Sequence, residues 1–184
     1  LRVGADVTLN AFVAESPLEA AQIYPANYWY SLLEVPDADE FPGTGADGNG
    51  ISERMRSQAQ WIDMTKQGCQ LCNQLGNKLT RSLDHLSHLG FESSVEAWNY
   101  RTAIGIRGPF MSAFASRFGR ERGMAMYADW TDRIAAGEVP QAPERPSGIE
   151  RNVVLTLWDW GNESSYIHDE ITTDKRNPTL NAGG

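Results

Sequence analysis

Val7, Leu9, Ala11 and Val13 recur at every second position, the period of a half-buried strand. No hairpin partner lies nearby, so residues 1–14 read as the tail of a preceding β-domain. From Ser16 the pattern turns helical. Ser16-Pro17-Leu18-Glu19 is a capping box with proline in the first helical turn, and it predicts a short helix ending before Pro25. An aromatic cluster, Tyr28-Trp29-Tyr30, follows, and the glycine-rich stretch over residues 41–50 is a loop by composition. Met55, Ala59, Ile62 and Lys66 then share one helical face, with Trp61 on the flank. That spacing predicts a helix over residues 52–67, capped by Ser52 and stopped by Gly68.

A second capping box, Ser93-Ser94-Val95-Glu96, predicts a helix to about residue 104. Gly105 and Gly108-Pro109 break the chain, and residues 110–118 read as a further helical turn or two. The last long helix is expected over residues 120–136, with Met124, Tyr127, Ile134 and either Trp130 or Thr131 facing inward and Gly137 closing it. Pro140, Pro143 and Pro146 mark a stiff linker. Alternation over residues 152–160 then predicts another strand. The expected fold is mainly α, with short flanking β-strands.

Composition narrows the function. The 184 residues are 41% hydrophobic and include six Trp, six Tyr and six Phe, enough for a packed core. The net charge of −8, with Lys and Arg dispersed, argues against nucleic acid and anionic membrane surfaces, both of which call for clustered cations. No apolar run approaches the roughly 20 residues of a membrane-spanning helix. Neither a signal peptide nor an internal repeat is visible.

The only two cysteines stand in Cys69-Gln70-Leu71-Cys72-Asn73. A C-x-x-C pair serves as a redox dithiol, half of a metal site, a haem attachment point or a local disulfide. A helix running straight into the motif, then a Gly-Pro break, a methionine and a final long helix, follows the plan of a small c-type cytochrome. There, two thiols bond the haem vinyls, the next residue is the histidine that binds iron, and a distant methionine supplies the sixth ligand. Here position 73 is asparagine, and a carboxamide is a poor ligand for haem iron beside imidazole. Met111, after Gly108-Pro109-Phe110, stands where a distal ligand loop would be. Its alternative is a gap-filling core methionine beside Phe110 and Phe114.

Four segments carry a more specific likeness: 57–61 (Ser-Gln-Ala-Gln-Trp), 68–78 (the motif and its continuation to Gln74-Leu75-Gly76-Asn77-Lys78), 128–138 and 150–160. They resemble bacterial exported proteins of the carboxypeptidase-regulatory-like-domain kind. In these a β-sandwich precedes a cytochrome c-like module and a streptogramin-lyase-like β-propeller follows. The family pattern reads C-x-x-C-H-Q-L-G-N-K, and this chain departs from it at Asn73. The resemblance implies residues 1–14 as the sandwich tail, 15–138 as a cytochrome c-like helical domain, and 139–184 as a Pro-rich linker, a strand and the start of the next domain. It implies an electron-transfer module of a periplasmic or secreted protein. Haem c would be held by Cys69, Cys72 and Met111, with Asn73 in the proximal position. Its partners would be the adjacent domains and a redox partner protein.

Other readings stay open beside it. Cys69, Cys72, His85 and His88 form C-x2-C-x12-H-x2-H, a Cys2His2 zinc alternative whose histidine spacing is one short of the usual range. His85 or His88 is also within chain reach of an iron that has lost its proximal ligand. A structural or interaction module with a Cys69–Cys72 disulfide needs no cofactor. Asp129 and Asp132 beside Arg133 resemble a carboxylate pair but equally a solvated helix face with local ion pairs. Thioredoxin, hydrolase, zinc-protease and P-loop signatures are missing, and no catalytic residue is assigned.

Overall fold

A computed structural model describes residues 13–70 and 73–152. Both expected flanking strands fall, wholly or nearly so, outside these residues. Within them the chain is mainly α, with helices α1 (Pro17–Ala21), α2 (Ala26–Tyr30), α3 (Gln58–Gly68), α4 (Ser94–Arg101), α5 (Gly108–Phe118) and α6 (Arg120–Ala135).

Helix starts follow local hydrogen-bond chemistry. Ser16 and Ser93 each accept from the backbone N–H three residues on, at Glu19 and Glu96. The start of α3 differs from expectation: Ser57, not Ser52, is its cap. Residues 51–55 are instead a turn pinned by backbone bonds from Ser52 N to Phe118 O (3.1 Å) and from Gly43 N to Met55 O (2.9 Å). The inner stripe of α3 is accordingly Trp61, Thr65 and Gly68, while Ala59 and Lys66 are exposed. Met55 is buried without being helical. Gly108-Pro109 opens α5 rather than breaking the chain, since proline suits a first helical turn. The helix opened by Ser93 ends at Arg101, three residues early.

α6 is the central element, with α4 and α5 packed along it and α3 against α5. Both Trp130 and Thr131 are buried, as are Met124, Met126 and Tyr127. Trp98 of α4 stacks on Tyr127 with centroids 4.8 Å apart and donates to Thr131 Oγ1 at 3.1 Å. α3 reaches α6 through Trp61, whose indole N–H meets Met126 Sδ at 3.4 Å, and through the C-cap Cys69. Trp130 is fully buried and donates to Trp29 O at 2.9 Å, tying α6 to α2.

The last turn of α6 ends as a Schellman motif. Glu138 N bonds Arg133 O, Gly137 N bonds Ile134 O, and Gly137 takes φ +103°. Arg133 pairs with Asp129 (2.8 Å) and Glu138 and donates to Leu32 O at 2.7 Å. Asp132 accepts from Ser94 Oγ at 2.5 Å. The two carboxylates thus serve helix and inter-helix contacts rather than a paired acid–base site.

Candidate functional site

The segment after the Cys motif has almost no regular structure, and buried arginines hold it. Arg101 reaches back from α4 to Leu79 O (2.6 Å), Thr80 O (3.2 Å) and Ser82 O (3.2 Å), with its guanidinium over the Trp98 ring. Arg81 donates to Gly76 O at 2.9 Å and lies 3.9 Å over the Trp29 ring. Gly76 is obligatory here: φ is +97°, and a Cβ would fall 1.9 Å from Ala26 O. Sequence reasoning missed both arginines, which lie on apolar faces where a cation reads as solvated. The one available signal was that Arg101 continues the stripe of Ala97 and Trp98.

This scaffold leaves a cavity of about 230 Å³ between the end of α3 and helices α4, α5 and α6. Cys69, Asn73 and Met111, 42 residues apart at the extremes, all line it, alongside Trp98, Phe114 and Tyr127. Met111 sits in the first turns of α5 rather than in a loop, half-buried between Phe110 and Phe114. Cys72 lies outside the described residues.

The thiol of Cys69 is free. Burial pushes its pKa up, and a hydrogen bond from Tyr127 Oη (3.2 Å) offsets that in part, so the sulfur is a neutral thiol at pH 7. The Tyr127 phenol is raised well above its ordinary value, by burial first and then by Cys69. Tyr30 is raised for the same two reasons, with a hydrogen bond to Gln70 acting against them. Asn73 turns its amide back to Cys69 O, donating at 3.3 Å. Gly68 lets Phe114 approach closely: a Cβ there would lie 1.8 Å from the ring.

The fit to haem c divides. A thiol and a methionine thioether facing one apolar, aromatic-walled space suit attachment and a sixth ligand. Position 73 does not suit the fifth, because its nitrogen is an amide donor without a lone pair for a metal.

Neither His85 nor His88 lines the cavity. Both lie on the 3-10 turn Asp84–Leu89, with His88 exposed. Among the described residues no three His, Cys, Asp or Glu side chains are grouped to hold a metal ion. The four-residue zinc set includes the undescribed Cys72. His85 has its pKa lowered to about 4, chiefly by burial and then by the charge of Arg101, with Asp84 opposing.

That shift has a stability consequence. The folded-state value lies below the ordinary 6.5, so the unfolded chain takes up the proton first. His85 thus contributes stability fully above pH 6.5, and that contribution is lost as pH falls toward 4. The urea midpoint should drop between pH 7.5 and 4.5, and drop less in His85→Gln.

No family model, no curated protein and no solved structure matches this chain. No helix among the described residues is long and apolar enough to cross a membrane.

Proposed function

We propose that the helical domain is a c-type cytochrome-like module of a larger exported protein, built for thioether attachment of haem but lacking the imidazole that would complete it. The reading is supported by one observation above all. Cys69 and Asn73, joined at the end of α3, and Met111 of α5, all singled out by their order in the chain, face one apolar cavity. Cys69 and Cys72 would hold the haem and Met111 would offer the sixth ligand. When bound, haem supplies one-electron redox chemistry. The chain's own residues do the rest. Trp98, Phe114, Phe118 and Tyr127 keep water from the space, and Tyr127 orients the Cys69 sulfur. Arg101 fixes the segment that follows the motif.

The test is covalent haem in protein from an export-competent host with a haem-maturation system, read by haem-stained denaturing gel and reduced-minus-oxidised spectrum. Any haem on the parent chain should fall in Cys69→Ala, which leaves one thioether position, and vanish when Cys72→Ala is added. Covalent haem in the double variant would overturn the assignment of the two cysteines.

A second reading has its own support. At about 230 Å³ the cavity is smaller than the ~300–1,000 Å³ of ordinary ligand pockets, and Phe114 already packs on Gly68. In that reading the module keeps the shape as a structural or interaction unit joining neighbouring domains. Its two cysteines are then free for a disulfide in an oxidising compartment.

A further inference from the structure

We infer that, in the haem-free chain, the cavity between α4, α5 and α6 binds one small neutral aromatic molecule, a single ring with a short alkyl chain. Size comes first. An apolar cavity of about 150 Å³ stays dry and takes up benzene, and this one, at about 230 Å³, has room for a few carbons more.

Polarity comes second. Five of the wall's polar side chains are already committed to the protein, Thr80 among them through Gln74 O at 3.1 Å. Thr102 Oγ1 donates within α4, to Trp98 O at 2.9 Å. Tyr127 Oη donates to Cys69 Sγ, and Asn73 Nδ2 to Cys69 O. The Arg101 fork is directed at the carbonyls of residues 79, 80 and 82. A carboxylate, sugar or amide entering the space would trade water for groups engaged elsewhere, an unfavourable exchange. A hydrocarbon loses nothing by the transfer.

Wall chemistry comes third. Met111 and Met124 put two thioethers among the rings of Trp98, Phe110, Phe114, Phe118 and Tyr127. Sulfur–aromatic and edge-to-face contacts favour a ring over an alkane of equal volume. Ile104, Gly105 and Arg107, in the turn between α4 and α5, form part of the wall, and Phe110 leads from it into solvent at 45% exposure.

The experiment uses the full chain made without haem maturation, so its outcome is separate from haem attachment. n-Butylbenzene is titrated into protein labelled at its methionine methyls, of which there are five. Met111 and Met124 should shift saturably, while Met55 and Met64, outside the cavity wall, should not. Ala115→Phe puts a ring into the space and should weaken binding at least tenfold in calorimetry. Should that variant fail to fold, the methyl pattern of the parent decides. The absence of saturable shifts at Met111 and Met124, or equal shifts at all five methyls, overturns the inference. So does undiminished binding in folded Ala115→Phe.

Discussion

Made in an export-competent host with a haem-maturation system, Asn73→His should be a haem-staining protein, with at least tenfold more covalent haem than the parent. The reasoning is local. The Cys69 thiol faces the cavity, Met111 lies in its wall, and residue 73 lies in it too. The asparagine amide is spent on Cys69 O, an internal bond that no other element depends on. Replacing it with a neutral imidazole gives a borderline nitrogen ligand where none exists, and imidazole is the ordinary fifth ligand of haem iron. Space works against this. Phe114, packed on Gly68, must move for a macrocycle to enter. The measurement is the haem-stained gel and reduced-minus-oxidised spectrum, with parent and variant side by side. A variant with no more haem than the parent would mean that the closed cavity outweighs the missing ligand, and the structural-module reading would then stand.

The largest stability effect is expected at Trp130. Truncation to alanine removes a fully buried indole from α6 and leaves the Trp29 carbonyl with its backbone partner Leu32 N alone in place of the 2.9 Å indole bond. Trp→Ala in a core costs about 3–5 kcal/mol, and the lost hydrogen bond adds about 1 kcal/mol. Against a typical folding free energy of about 5–15 kcal/mol, Trp130→Ala should sit at the edge of folding. With a urea slope of about 2 kcal/mol/M, its midpoint should fall by about 2 M. Trp130→Phe keeps an aromatic ring and should lose less than half as much. Equal losses in the two variants would show that the hydrogen bond to α2 matters more than the packing of α6.

Where a local rule acts alone, the sequence was readable. The Ser16 and Ser93 caps, the extent of α6 and its Gly137 ending all follow from short-range chemistry, and the structure has them. Where tertiary contacts choose between local options, it was not. Ser52 and Ser57 are equally good caps by residue type. The backbone bond from Ser52 to Phe118 decides between them, and that bond spans 66 residues. Met55 fitted a helical period by coincidence, and this put the inner face of α3 on the wrong side. Cys69, Asn73 and Met111 were legible as candidates because motif order singles them out. The Tyr127 hydroxyl on the sulfur and the Arg101 fork were not: helical period puts both residues on inner faces, but their partners, Cys69 and the carbonyls of residues 79, 80 and 82, lie far off in sequence.

The buried arginines change how the molecule meets its surroundings. Arg81 and Arg101 are each only 6% exposed, so two of the sixteen basic side chains contribute little to the outer surface. Their burial leaves the net charge at −8 and withdraws two cations from pairing with carboxylates on the surface. Like charge keeps copies of the chain apart over roughly 30 Å at 0.01 M salt, and over only about 8 Å at physiological ionic strength. Dilute buffer should hold the domain dispersed, and added salt lets molecules of the same sign come within touching distance.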